Sequence, residues 1–162
     1  MSSPDSAERP ERPERPDRPE RPDRAARILV SHKDFSAQKR IVRNRAFLPK
    51  PHRDTRVLVT SILDADGLAD TEVWSLGAVQ VAATRGKSVY GHAEISRTTI
   101  ETQGLSLQRS EPPPRHCDIV DWPSAKDEQL SLAQELAAGS ELKLSPEPIK
   151  PELPIRPPEN SE

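Results

Sequence analysis

The chain has 162 residues, with 24 Lys and Arg against 26 Asp and Glu, 18 prolines and only 3% aromatic residues. That much proline and charge beside so little aromatic surface excludes a single core spanning the whole length. No apolar run reaches the roughly 18 residues of a membrane span, the opening residues lack the charged-then-apolar order of a secretory signal, and the single Cys117 excludes an internal disulfide, so a cytoplasmic protein is expected.

Residues 1–26 read as a disordered tail. Pro10, Pro13, Pro16, Pro19 and Pro22 recur every third residue in an (E/D)RP repeat. Each proline fixes φ and removes an amide donor, which forbids a stable α-helix. The period matches a polyproline II rod, in which proline, acid and arginine form separate stripes. Such a self-neutralised rod is a soluble spacer, or a ligand for an aromatic groove.

Residues 27–53 read as a basic arm. Between residues 24 and 45, seven Lys and Arg stand against the single Asp34, with Lys39, Arg40, Arg43 and Arg45 the densest group. ARILV suits a short strand or a frayed helix. Ser36 suits the cap of a short helix through AQKRIVRNR, and Pro49 and Pro51 then break the chain.

Residues 54–145 read as the compact part, an α+β domain with a short-stranded sheet and two main helices. TRVLVTSIL is a strand by its β-branched content, and DADG is a turn. Asp70 or Thr71 caps a helix through EVWSLGAVQVAA, although Val79, Val81 and Ala83 also alternate like a strand. SVYGHAEIS is a second strand, followed by a short helix from Arg97 to Gln103 ending at Gly104. LSLQ is a third strand, three prolines make an extended link, and RHCDIVDW is a fourth strand. Ser124 with Asp127 resembles a capping box for the helix that buries Ala125, Leu132, Ala133, Leu136 and Ala137 and stops at Gly139. ELKLS closes as the last strand. Residues 146–162 read as a second disordered, proline-rich tail, in which Ile149, Leu153 and Ile155 are the apolar residues a docking segment would use.

Chemistry-bearing residues are few. His116 and Cys117 are adjacent on a strand and face opposite ways, so they cannot pair, and a lone strand cysteine fills a core. If the strands at 88–96 and 115–121 were neighbours, His92, Glu94, His116 and Asp118 would share a sheet face and offer the ligands of a metal centre. Gly86-Lys87-Ser88 lacks the earlier glycine and the following helix of a phosphate loop. Trp122 before Pro123 suits a packing anchor at a strand-to-helix corner.

RAFLPKP at 45–51, EVWSLG at 72–77 and EPPPRHCDIVDWPSAKDEQLSLAQELA at 111–137 resemble a group of small uncharacterised bacterial proteins. In that group a similar block reads Pro-Pro-x-His-x-x-Ile-x-Gly-Trp-Pro before a charged, alanine-rich helix. This chain has Asp121 where the pattern carries glycine, and Cys117 where it carries alanine. The resemblance implies a bacterial, cytoplasmic setting, and it brings neither an activity nor a functional residue.

The expected function is a non-catalytic protein-interaction adaptor or accessory subunit, needing no cofactor, with another protein as partner through Trp122, Ile149, Leu153 and Ile155. Two other readings stand beside it. One is a metal-assisted hydrolase using His92, Glu94, His116 and Asp118. The other is nucleic-acid binding through Lys39, Arg40, Arg43 and Arg45, with affinity falling steeply in salt.

Overall fold

A computed structural model describes residues 21–151. Leu153 and Ile155, and most of both expected tails, lie outside the described residues.

The fold is α+β. Strands β1 (Arg24–Leu29), β5 (Leu58–Asp64), β6 (Val89–Ser96), β7 (Ser106–Arg109), β8 (His116–Val120) and β9 (Glu141–Ile149) form an antiparallel sheet in the order β7-β8-β5-β1-β6-β9. The two-residue strand β4 (Lys50–Pro51) pairs with the start of β5, and β2 (Phe35–Ser36) pairs with β3 (Ile41–Val42) in a separate hairpin. Helices α1 (Asp70–Gly77), α2 (Ala83–Arg85), α3 (Arg97–Thr102) and α4 (Lys126–Ala138) complete the fold. A π-helical stretch, Ala78–Ala82, joins α1 to α2 into one continuous helix, so the alternation of Val79, Val81 and Ala83 does not become a strand. Both of its flanking turns keep right-handed helical dihedrals.

Side chains alternate across each strand, so the sheet carries two cores. On one face Ala25, Leu29, Ile62, Ala93, Ile95, Cys117 and Ile119 meet Phe47, Ile100 and the α4 residues Ala133, Leu136 and Ala137. On the other, Ala26, Ile28 and Leu63 meet Val73, Trp74, Ala78 and Ala82 from the α1–α2 helix. That helix approaches β1 closely at Gly77, where a Cβ would lie 2.7 Å from Ile28 Cδ1.

Several boundaries differ from those expected. The limit at residue 26 falls inside β1, whose Ala25 and Ala26 are fully buried at the centre of the sheet. Residues 27–53 are not an arm: they supply part of β1, the β2–β3 hairpin, the 3-10 turn Asn44–Phe47 and β4. Ser36 caps no helix there; its Oγ accepts from the Lys39 amide inside the hairpin turn. At the other end β9 runs on through Pro148 and Ile149, past the limit at 145. A register shift between Val89 and Gly91 lets Gly91 pair with Leu144 and Val89 with Ile149. The irregularity turns Val89 to the opposite face from Ala93, where Ile149 joins it. Ile149, expected to dock a partner, therefore packs against the protein's own second core. The helix starts also differ. Ala69 precedes α1, its amide donating to Glu72 Oε1, and Ala125 rather than Ser124 precedes α4.

Candidate functional site

The four residues proposed as metal ligands do not converge. His92 and Glu94 lie on β6 and His116 and Asp118 on β8, with β1 and β5 between them. Three strand spacings put the two pairs about 14 Å apart. The period-two pattern within each strand holds, but β1, whose residues span the expected tail and the expected arm, inserts between the two strands.

His92 and Glu94 instead meet Asp70, presented by the first turn of α1. The three residues offer ligand atoms within 4.8 Å of one another. His92 Nε2 lies 3.5 Å from Glu94 Oε1 and 4.0 Å from Asp70 Oδ1. These residues do not fit a divalent cation well. Both Glu94 oxygens already accept from Arg24, from Nε at 3.0 Å and Nη2 at 2.9 Å, and Lys143 Nζ lies 3.8 Å from Asp70 Oδ2. Two carboxylates are thus matched by two cations, and a metal would have to displace a bidentate arginine. The bidentate pairing with Arg24 holds the Glu94 carboxyl below its ordinary pKa. His92 is fully buried, close to the Trp74 ring, and neither ring nitrogen has a hydrogen-bond partner among the described residues. Burial pushes its pKa down, against the pull of Glu94 and Asp70. The cluster is a charge-balanced lid over a neutral imidazole.

The remaining predicted residues are dispersed. Cys117 is fully buried in the first core, and burial raises its pKa to about 11, so it is a thiol at neutral pH and a poor nucleophile. Trp122 is half-buried against the same core, its Nε1 donating to the Ile119 carbonyl at 3.0 Å. His116 is fixed through Nδ1 to Ser110 Oγ at 2.6 Å. Asp121, at φ 72°, adopts a left-handed conformation that glycine accepts without a steric cost.

Two concave regions were not anticipated. The first is a groove of about 560 Å³ between the β2–β3 hairpin and the end of α4, lined by Arg40, Ile41 and Arg43 on one wall and Gln134, Ala138 and Ser140 on the other. Ile41 is 47% exposed there. Arg40 and Arg43 are exposed and have no ion pair among the described residues, whereas Arg45 pairs with Asp34 at 3.2 Å. The sequence signal was the density of basic residues, but only the hairpin shows that two of them flank an apolar side chain.

The second is a cleft where β1 and β5 part. β1 covers β5 at Leu63 and Asp64, and β4 covers it at Leu58 and Val59. Between them, Arg27 reaches from β1 to donate from Nε to the Ala46 carbonyl and from Nη1 to the Ser61 carbonyl, each at 2.7 Å. Cavities of about 150 and 250 Å³ lie beside it, sharing Arg27, Ser61, Arg85 and His116 in their walls. Burial lowers the Arg27 pKa to about 10, so it stays charged at neutral pH. No sequence pattern points to this cleft, because it depends on three strands sharing one edge.

No helix among the described residues is long and apolar enough to cross a membrane. Compared with protein-family models, with curated proteins and with solved structures, the chain matches none.

Proposed function

We propose that the protein is a non-catalytic interaction module, an adaptor or accessory subunit, whose docking face is the groove between the β2–β3 hairpin and α4. The observation that carries this reading is the exposed Ile41 set between Arg40 and Arg43, neither of which has a carboxylate partner among the described residues. An apolar anchor flanked by free guanidinium groups suits a short acidic segment of a partner protein that carries one aliphatic or aromatic side chain. Arginine serves such a rim well, because its planar fork binds a carboxylate with two hydrogen bonds.

The test is capture from a lysate of the source cell with three baits: the intact protein, the Arg40→Glu/Arg43→Glu variant and a Lys50→Glu/Arg53→Glu control. A photo-crosslinker at position 41 maps the contact. The reading requires a protein retained by the intact bait and the control, lost from the groove variant, and cross-linked through an acidic segment. Capture that survives the groove variant removes it. Capture of nucleic acid instead of protein, lost with the same variant, would replace it with the basic-surface reading.

A further inference from the structure

The cleft between β1 and β5 has the lining of a ligand site. Arg27, Lys50, Arg53 and Arg85 contribute four cations to its walls, and Asp118 is the one carboxylate among the lining residues. None of the four has an ion pair among the described residues. The Arg27 side chain hydrogen-bonds only to backbone carbonyls, and the nearby Arg85 adds like-charge repulsion that Asp34 only partly offsets. Holding guanidinium groups together in a partly enclosed space costs free energy unless an anion sits between them.

Two further groups point the other way. Asp118 Oδ1 and Gln80 Oε1 are buried acceptors with no hydrogen-bond donor among the described residues. Asp118 lines the larger cavity and Gln80 the smaller. Gln80 is fixed in place, because its Nε2 donates to the Pro114 carbonyl at 2.8 Å. Buried acceptors without donors are uncommon, and each calls for an O–H or N–H. Leu48, Pro51 and Val59 give the larger cavity an apolar wall. Cations seeking an anion, acceptors seeking donors and an apolar wall describe one molecule: a phosphate on a polar, hydroxyl-bearing body.

We infer that the cleft binds a small phosphomonoester with hydroxyl or amine groups, of the sugar-phosphate or mononucleotide class, its phosphate set among Arg27, Arg53 and Arg85 and its donors directed to Asp118 and Gln80. An anion there is charge-assisted on several sides at once. This inference is independent of the groove, which lies at the hairpin and uses other residues.

The experiment is a titration of the full-length protein with ribose 5-phosphate, AMP, inorganic phosphate, ribose and a short oligothymidylate, followed by amide chemical shifts and by thermal stability. Ribose 5-phosphate or AMP should saturate a single site, with shifts at Ser61, Arg85 and His116, and ribose should not. Arg53→Ala/Arg85→Ala should weaken that binding by about tenfold or more. Both side chains are exposed and make no hydrogen bond or ion pair among the described residues, so the variant should keep the parent's unliganded melting temperature. Asp118→Ala should weaken the sugar phosphate more than inorganic phosphate. Absence of saturable binding by either phosphomonoester, or binding unchanged in the double variant, overturns the inference. Tighter binding of the oligothymidylate than of AMP also overturns it, in favour of a nucleic-acid backbone.

Discussion

The Arg27 guanidinium donates to the Ser61 carbonyl oxygen at 2.7 Å, so a side chain from β1 closes a gap that the strands leave in the middle of the sheet. β5 takes its edge partners from β4 at one end and β1 at the other, and Ser61 falls between. A second bond from Nε to the Ala46 carbonyl anchors the turn before β4. One residue thus ties β1, the turn Asn44–Phe47 and β5 together.

Arg27→Met should therefore destabilise the protein by about 2–3 kcal/mol, because two carbonyls lose charge-assisted donors while the apolar stem is kept. Arg27→Lys should recover only part of this, since an ammonium cannot span both acceptors with the fork geometry of a guanidinium. Urea unfolding of the three proteins measures it. Equal stability of the parent and Arg27→Met would show that water replaces the side chain fully.

Gly91 sets the register at the other edge. It lies at φ 155°, and a Cβ there would sit 2.2 Å from the Lys143 carbonyl oxygen and 2.8 Å from Leu144 Cα. Backbone cannot yield as a flexible side chain can, so Gly91→Ala should cost about 2–4 kcal/mol by forcing β6 and β9 apart. The loss should appear as a drop in melting temperature with faster amide exchange at Leu142 to Leu144. A variant of unchanged stability would mean that β9 can slip its pairing freely.

Much of the sheet was legible from sequence because its strands obey period two. β5, β6 and β8 lie within a few residues of the segments TRVLVTSIL, SVYGHAEIS and RHCDIVDW, and α4 buries Ala133, Leu136 and Ala137 of its expected stripe, with Gln129 buried and Ala125 exposed. What could not be read was which strands are neighbours. The basic residues between 24 and 45 are partly neutralised by residues distant in sequence, Arg24 by Glu94 seventy residues on, and local counting cannot see such a pair. The same insertion of β1 that makes this pair also parts His92 and Glu94 from His116 and Asp118. In the tail, the three-residue proline spacing concealed Ile149, because the register shift at Gly91 lets a proline-bearing segment rejoin the sheet edge.

Ile149 is the residue that makes this extension worthwhile, packing with Val89 beneath the α1–α2 helix. Ile149→Ala should cost about 1–2 kcal/mol, and Ile149→Asp more, since a charge would be placed against an apolar core. Thermal melts decide the matter, and Ile41→Ala is the internal control. Ile41, 47% exposed, should change stability by less than about 0.5 kcal/mol. If the two alanine variants melt alike, Ile149 does not hold β9 to the sheet.

Asp121 occupies the left-handed region at φ 72°, between β8 and the Trp122-Pro123 corner. Aspartate tolerates that region better than most residues, and a β-branched side chain tolerates it worst. Asp121→Val should lose about 1–2 kcal/mol, while Asp121→Gly should stay within about 0.5 kcal/mol of the parent, relief of strain offsetting the entropy of the unfolded chain. A neutral Asp121→Val in chemical denaturation would show that the turn relaxes out of the left-handed region.

His92 makes stability depend on pH in a window separate from that of the carboxylates. Its folded-state pKa is lowered from 6.5, chiefly by burial, so the unfolded chain binds a proton more readily than the folded one. The contribution is complete above the unfolded pKa, and it is lost as pH falls below about 6.5 towards the folded value. Glu94 is also lowered, from 4.5, chiefly by its hydrogen bonds to Arg24, and its contribution disappears only further down, as pH falls through its folded pKa. Unfolding free energy should therefore begin to fall between about pH 7 and pH 5, before the carboxylates titrate. His92→Gln should flatten that first slope and leave the acid limb, whereas Glu94→Gln should reduce the acid limb. It should also free Arg24, which then faces His92 as a like charge when the imidazole is protonated, so the first slope steepens. Parallel pH profiles for the parent and His92→Gln above pH 5 would mean that the imidazolium finds an acceptor which keeps its charge in the folded state.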